Sequence, residues 1–126
     1  MRRFPAASAV VLDACAVLVF VVIGRASHHE SGGLAGLAST LWPFLTGLAA
    51  GELITRSWRR PVALAPTGIG VWLSTVALGM VLRVVAGQGT AVAFILVALA
   101  FLGLFLLGWR LVAARSWLRP RPAGGS

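Results

Sequence analysis

The chain has 126 residues, of which 59% are hydrophobic and only 11% are charged, whereas an average soluble domain is about 25% charged. A soluble domain of this size cannot bury so much apolar surface, because small domains have a large surface relative to their volume. The composition excludes an ordinary soluble enzyme, a disordered tail and, with its single cysteine, a disulfide scaffold. It indicates one domain embedded in a lipid bilayer.

Four apolar segments are long enough to cross a bilayer core about 30 Å thick, which needs roughly 20 helical residues. They span about 5–24, 34–55, 66–86 and 90–109. Charged and turn-forming residues separate them, and Gly87–Gly89 predicts a tight turn between the last two. We expect an all-α protein with a four-span transmembrane domain over 1–109 and a basic cytoplasmic tail over 110–126 that frays at its end.

The formal net charge is +8, and the basic residues are all arginine. They fall in short clusters between the apolar segments, which is typical of charge beside anionic lipid and argues against nucleic acid as a partner. With four spans, both termini and the middle loop share one side. That side carries nine arginines: Arg2, Arg3, Arg56, Arg59, Arg60, Arg110, Arg115, Arg119 and Arg121. Because basic loops stay in the cytoplasm, we expect a multi-pass protein of the bacterial inner (plasma) membrane with both termini cytoplasmic.

A short motif occurs twice. Residues 56–61 read Arg-Ser-Trp-Arg-Arg-Pro, and residues 115–120 read Arg-Ser-Trp-Leu-Arg-Pro. One interpretation is a duplicated helical hairpin, with halves related by an axis along the membrane normal. The other is that any cytoplasmic membrane interface favours arginine and tryptophan. The duplication predicts that Asp13 lies at the level of Trp72.

Two local features of the second span predict how it packs. Gly47 and Gly51 form a small-xxx-small pair, which lets a neighbouring helix approach closely. Pro43 lacks a backbone N–H, so it should kink the helix and leave the carbonyl of Ser39 without its helical donor.

Asp13 lies about 12 Å along the first span, counted at 1.5 Å per helical residue from Pro5. A carboxylate within the membrane costs about 2.5–3.5 kcal/mol on insertion scales. One interpretation is an intramembrane proton or cation site formed by Asp13 with Trp72 and Thr75. The other is a structural tie, in which Asp13 binds Trp72, Thr75 or an inner arginine. A water-filled cavity reaching Asp13 would favour the first, and a dry, fully paired carboxylate the second.

A second acid, Glu52, lies one turn from the inner edge of its span and four residues before Arg56. That spacing and order favour a plain interfacial ion pair over a catalytic role. The sequence has no nucleophile motif, no phosphate-binding loop and no metal-ligand spacing. We therefore expect no enzyme activity, no cofactor and no metal.

A polar cluster is predicted on the outer side, formed by Arg25, His28, Glu30 and Arg83. Histidine titrates near neutral pH, so the cluster could sense external pH, and two arginines could hold an anion. The plainer interpretation is a solvated loop with arginines at the helix ends.

Several short motifs follow one another along the chain. Each is unspecific alone, and their order is the informative feature. They are Asp13, Ile23-Gly24-Arg25 with His28 or His29 and Glu30, Trp42-Pro43-Phe44, Pro66-x-Gly68, Val71-Trp72 with Thr75, Gly79-Met80 to Arg83, Gly87-x-Gly89-Thr90 and Gly108-Trp109-Arg110. In that order they resemble the domain-of-unknown-function 3054 family of small four-helix membrane proteins. The resemblance spans nearly the whole chain up to Arg110. It implies a four-helix membrane protein and no particular activity, substrate or cofactor.

The leading functional hypothesis is a small transporter or channel-like protein. Four helices rarely enclose a substrate path, and small residues on several faces favour self-association, so we expect a homo-oligomer or a larger membrane partner. The alternative is a structural or accessory membrane subunit without transport activity.

Overall fold

The computed structural model describes residues 4–27 and 32–117, which form four long helices. Helix α1 spans Ala6–Ser27, α2 spans Gly33–Thr55, α3 spans Ile69–Val85 and α4 spans Val92–Trp117. A short helical turn, Leu64–Gly68, leads directly into α3. With that turn counted as part of the third segment, all four are long and apolar enough to cross a membrane. The protein is therefore an all-α membrane protein, as the sequence predicts.

Helix α4 is longer than its sequence suggests. The prediction ends the span at 109 and begins a tail at 110, whereas the helix continues to Trp117. The residues after Arg110 include leucine and alanine, which favour helix, and Arg110 itself is completely buried against other helices. The start of the predicted tail is therefore helical, and the remainder lies outside the described residues.

Helices α2 and α3 form the closest pair. A Cβ atom on Gly47 would lie 2.9 Å from the carbonyl oxygens of Ser74 and Thr75, and one on Gly51 would lie 2.9 Å from the Cα atom of Val71. The Ser74 hydroxyl donates to the Gly47 carbonyl at 2.9 Å. The predicted small-xxx-small contact is confirmed, because only glycine leaves room for backbones this close.

The packing does not support a duplicated hairpin. An axis relating the two hairpins would make the α2–α3 and α1–α4 interfaces alike, yet α2 and α3 meet backbone to backbone while α1 and α4 are further apart. The contacts differ as well. Asp13 binds Arg110 of the other hairpin, whereas Trp72, its predicted counterpart, donates to the Leu99 carbonyl within its own hairpin.

Pro43 lies inside α2 and removes one helical hydrogen bond, as predicted. The side-chain amide of Gln88, in the α3–α4 loop, donates to the Ser39 carbonyl at 2.9 Å. That carbonyl is the one whose helical donor the proline removes. The loop therefore replaces the missing donor and joins α2 to the start of α4.

An aromatic layer fills the middle of the bundle. The Phe20 ring contacts Phe44 edge-on with centroids 5.4 Å apart, and it contacts Phe101 at 5.5 Å and Phe94 at 6.0 Å. Phe44 is completely buried. Phe20 lies two helical turns beyond Asp13 along α1, so these rings separate the two polar ends of the protein.

Candidate functional site

The bundle has two polar ends. We call one the arginine-rich end, where α1 begins and α2 and α4 finish. Its described arginines are Arg56, Arg59, Arg60, Arg110 and Arg115. We call the opposite one the pocket end, where α1 and α3 finish near Arg25 and Arg83.

Asp13 is bound by two consecutive residues of α4. Arg110 Nη1 donates to Asp13 Oδ1 at 2.8 Å, and Arg110 Nη2 donates to Oδ2 at 2.7 Å, which is a bidentate pair. Trp109 Nε1 also donates to Oδ1, at 2.8 Å. The side chains of Asp13 and Arg110 are both 0% exposed. Asp13 is thus a dry, fully paired carboxylate.

The Arg110 side chain is held along its length. Its Nε donates to the Pro61 carbonyl at 2.8 Å, and Nη1 donates a second time, to the Leu106 carbonyl at 3.0 Å. The guanidinium lies 4.5 Å from the centroid of the Trp109 ring. A Cβ atom on Gly68 would come within 3.0 Å of Arg110 Cδ, so glycine there makes room for the buried chain.

Glu52 brings a second carboxyl group to the same arginine. Its Oε2 accepts a hydrogen bond from the Ser57 hydroxyl at 2.7 Å. Its Oε1 lies 3.8 Å from Arg110 Nη2, beyond hydrogen-bond range, and is buried without a hydrogen-bond partner in the part of the chain that the structure describes. We call Asp13, Glu52, Ser57, Trp109 and Arg110 the ion-pair cluster.

The predicted contacts of Asp13 with α3 are wrong. Trp72 Nε1 donates to the Leu99 carbonyl of α4 at 3.0 Å, and the Thr75 hydroxyl donates to the Val71 carbonyl at 2.7 Å. Within the described residues, α1 packs against α2 and α4, not against α3. The two side chains have suitable donors but lie on a helix that does not adjoin Asp13.

The predicted ion pair between Glu52 and Arg56 is also wrong. Arg56 is exposed and has a left-handed backbone with φ of 52°, which ends α2. An ion pair between residues four positions apart requires that the helix continue from the first residue to the second. Glu52 therefore contacts Arg110 and Ser57 instead.

At the pocket end, Arg25 and Arg83 line one cavity of about 1090 Å³. It lies among all four helices and the α3–α4 loop, and Phe20 and Phe94 form part of its wall. Arg25 Nη1 donates to the Thr40 hydroxyl at 2.8 Å. The structure thus brings together the two arginines of the predicted outer cluster. His28 and Glu30, the other predicted members, lie outside the described residues.

The Arg83 guanidinium is oriented by the α3–α4 loop and by α4. Nη1 donates to Gln88 Oε1 at 3.1 Å, and Nε donates to the Gly89 carbonyl at 3.1 Å. Its central carbon lies 4.5 Å from the centroid of the Phe94 ring. Because Gln88 also donates to Ser39, the cavity wall is linked to α2 next to Pro43.

The sequence analysis allows an inner arginine as the partner of Asp13 but does not single out Arg110. An apolar run long enough to span a membrane precedes it, so hydropathy ends the span there. The available signal is charge balance. An acid inside one span needs a cation. Arg110 is the first arginine after the fourth predicted span and directly follows Trp109, a second donor.

Four apolar helices of membrane-spanning length, tied together by a buried ion pair, define a small integral membrane protein. The chain belongs to the family described as "Protein of unknown function (DUF3054)", whose family model matches residues 10–113. The matched range includes both carboxyl groups and the arginine of the ion-pair cluster, and it confirms the resemblance. Among curated proteins and solved structures, no similar chain is found.

Proposed function

We propose that the protein is a small transporter that takes an organic anion from the outer side of the membrane. The observation that supports this proposal is the cavity of about 1090 Å³ lined by Arg25 and Arg83. Guanidinium groups match the planar geometry of carboxylate-like anions. The rings of Phe20 and Phe94 favour a ligand that also has an apolar part.

The sidedness of the cavity follows from the arginine distribution. Basic segments are retained in the cytoplasm, so in this proposal the arginine-rich end faces the cytoplasm and both termini lie there. The cavity then opens to the outside of the bacterial inner membrane. Five described arginines lie at the arginine-rich end: Arg56, Arg59, Arg60, Arg110 and Arg115.

In the proposed transport cycle, this conformation is open outward and closed inward. The aromatic layer and the ion-pair cluster lie between the cavity and the cytoplasmic side. Passage would require α1 and α4 to separate, and Asp13 and Arg110 are the polar tie between them. Asp13 is then a gate residue, which differs from the sequence hypothesis of a proton or cation site formed with Trp72 and Thr75.

Four helices leave little room for a continuous path, so we propose that the transporter works as a homo-oligomer or with a larger membrane partner. The proposal involves neither enzyme activity nor a cofactor. The alternative is a structural or accessory subunit without transport. It is favoured by the dry, fully paired state of Asp13, which needs no proton or ion movement to explain it.

The test uses the purified protein in liposomes and benzenesulfonate as the probe, because its permanent charge limits passive leakage. We expect uptake above that of protein-free liposomes. In R25Q/R83Q it should fall about tenfold or more, equivalent to at least about 1.4 kcal/mol. The matched control is R59Q, which removes an exposed arginine at the other end and should transport normally. Sulfate, which lacks an apolar part, should compete poorly.

Wild-type uptake no greater than that of protein-free liposomes would contradict transport of this anion class. Binding of benzenesulfonate in equilibrium dialysis, without uptake, would favour the accessory alternative.

A further inference from the structure

The ion-pair cluster contains two acidic groups and one cation. Asp13 Oδ2 and Glu52 Oε1 face the same nitrogen, Arg110 Nη2, at 2.7 and 3.8 Å. If both acids are ionised, the cluster carries one uncompensated negative charge in a buried place. Like charges that share a buried site cannot both remain ionised at low cost.

Within residues 4–27 and 32–117, the elements around the cluster supply no other buried cation. Among residues 64–85, which form the turn and α3, the only ionisable side chain is Arg83, at the opposite end of the bundle. Glu52 is the only ionisable residue of α2. The nearest loop contributes three arginines, Arg56, Arg59 and Arg60, all exposed. In α4, the other arginine is Arg115, also exposed.

The hydrogen bonds leave one place for a proton. Four N–H groups of Arg110 are occupied, two by Asp13 and two by carbonyl oxygens. Glu52 Oε2 accepts from Ser57, while Oε1 has no donor although the side chain is only 9% exposed. A buried carboxylate oxygen without a donor is unfavourable, whereas a carboxylic acid at that position becomes a donor itself.

We propose that Asp13 and Glu52 together form a proton-binding site, in which one proton is held by the Glu52 carboxyl and shared with Asp13. The cluster is then neutral, with Arg110 balancing Asp13. Two interacting acids bind and release protons as a pair, so the proton belongs to the site and not to one residue alone. The site stands on charge balance and burial and is independent of the anion transport proposed above.

Proton release would change which helices are tied together. An ionised Glu52 is attracted to the remaining Nη2 hydrogen of Arg110, only 3.8 Å away. It would compete with Asp13 for the guanidinium and strengthen α2–α4 at the expense of α1–α4. The bound proton therefore favours the conformation described here, with α1 held against α4.

The test is infrared spectroscopy of the full chain at neutral pH in dodecyl maltoside micelles, because this detergent has no carbonyl group. A protonated carboxyl group has a C=O stretching band separate from those of carboxylates and amides. The chain has only three acidic side chains, Asp13, Glu30 and Glu52, so the band can be assigned by substitution. We expect one protonated carboxyl per folded wild-type chain and complete loss of its band in E52Q.

D13N should also lose the band, because Glu52 then ionises as the only counter-ion of Arg110. E30Q is the matched control and should retain it. Helical circular dichroism is recorded for each variant; if D13N does not fold, wild type and E52Q still decide the question. The proposal is overturned by a folded wild type without the band, or by a band that survives in E52Q or in folded D13N. Loss of the band in E30Q would overturn it as well.

Discussion

The same residue type has opposite surroundings at the two ends of this protein. Arg110 is 0% exposed and bound bidentately to a carboxylate that is equally buried. Arg83 lines an open cavity, where a loop amide, a loop carbonyl and the Phe94 ring orient its guanidinium. Arg110 is enclosed with its counter-ion and ties helices together, whereas Arg83 lies at the wall of a cavity. The difference lies in the neighbours and not in the arginine.

The largest expected effect is at the arginine-rich end. D13N/E52Q leaves Arg110 buried without a counter-ion, which should destabilise the protein by about 3–5 kcal/mol. Each single variant should cost less, because the other acid can still pair with Arg110. The measurement is unfolding in detergent micelles or bicelles, followed by circular dichroism. E30Q is again the control. A double variant whose loss equals the sum of two small, independent losses would show that the acids do not share the arginine.

Two glycines sharpen the contrast between a packed end and an open one. A Cβ on Gly68 would lie 2.8 Å from Leu107 Cδ2 and 3.0 Å from Arg110 Cδ, whereas one on Gly24, in the cavity wall, meets nothing within 4 Å. We expect G68A to cost about 1–3 kcal/mol by overpacking. G24A should be neutral or stabilise α1 by up to about 1 kcal/mol, since alanine favours helix over glycine. If G68A and G24A lose the same free energy of unfolding in thermal unfolding experiments, the two ends do not differ in packing.

Thiol labelling in intact cells can test which side of the membrane each end of the protein faces. The only cysteine, Cys15, is exposed and is first replaced by alanine. Ala86 at the pocket end and Arg59 at the arginine-rich end are both exposed sites for a single new cysteine. An impermeant reagent should label A86C directly and R59C only after permeabilisation. The reverse pattern would invert the orientation.

Features fixed by local chemistry are predictable from this sequence. Four spans follow from length and apolarity. The close contact at Gly47 and Gly51 follows from their spacing, and the vacant carbonyl of Ser39 follows from the covalent structure of Pro43. Each of these needs information from one helix only.

Features that depend on which helices are neighbours are not predictable in this way. Periodicity assigns Asp13 to an inward face but does not say which helix it meets, so Trp72 has a suitable donor on the wrong helix. The prediction that Glu52 pairs with Arg56 fails for a related reason. The left-handed backbone of Arg56 ends α2, whereas the ion pair requires the helix to continue through Arg56. The cavity requires all four helices to converge, and no single span signals it.

The distance along the chain between the partners of the buried pair has a consequence for synthesis. Asp13 and Arg110 are 97 residues apart. At about 5–20 residues per second, a ribosome needs about 5–20 s to produce the arginine after the aspartate. During that interval α1 and α2 bring Asp13 and Glu52 to the membrane before Arg110, the cation that lies beside both of them, has been made. The two acids therefore lack their arginine until the fourth helix has been synthesised. A chain that stalls before Arg110 would keep unpaired acids in the membrane, and we expect membrane proteases to degrade it.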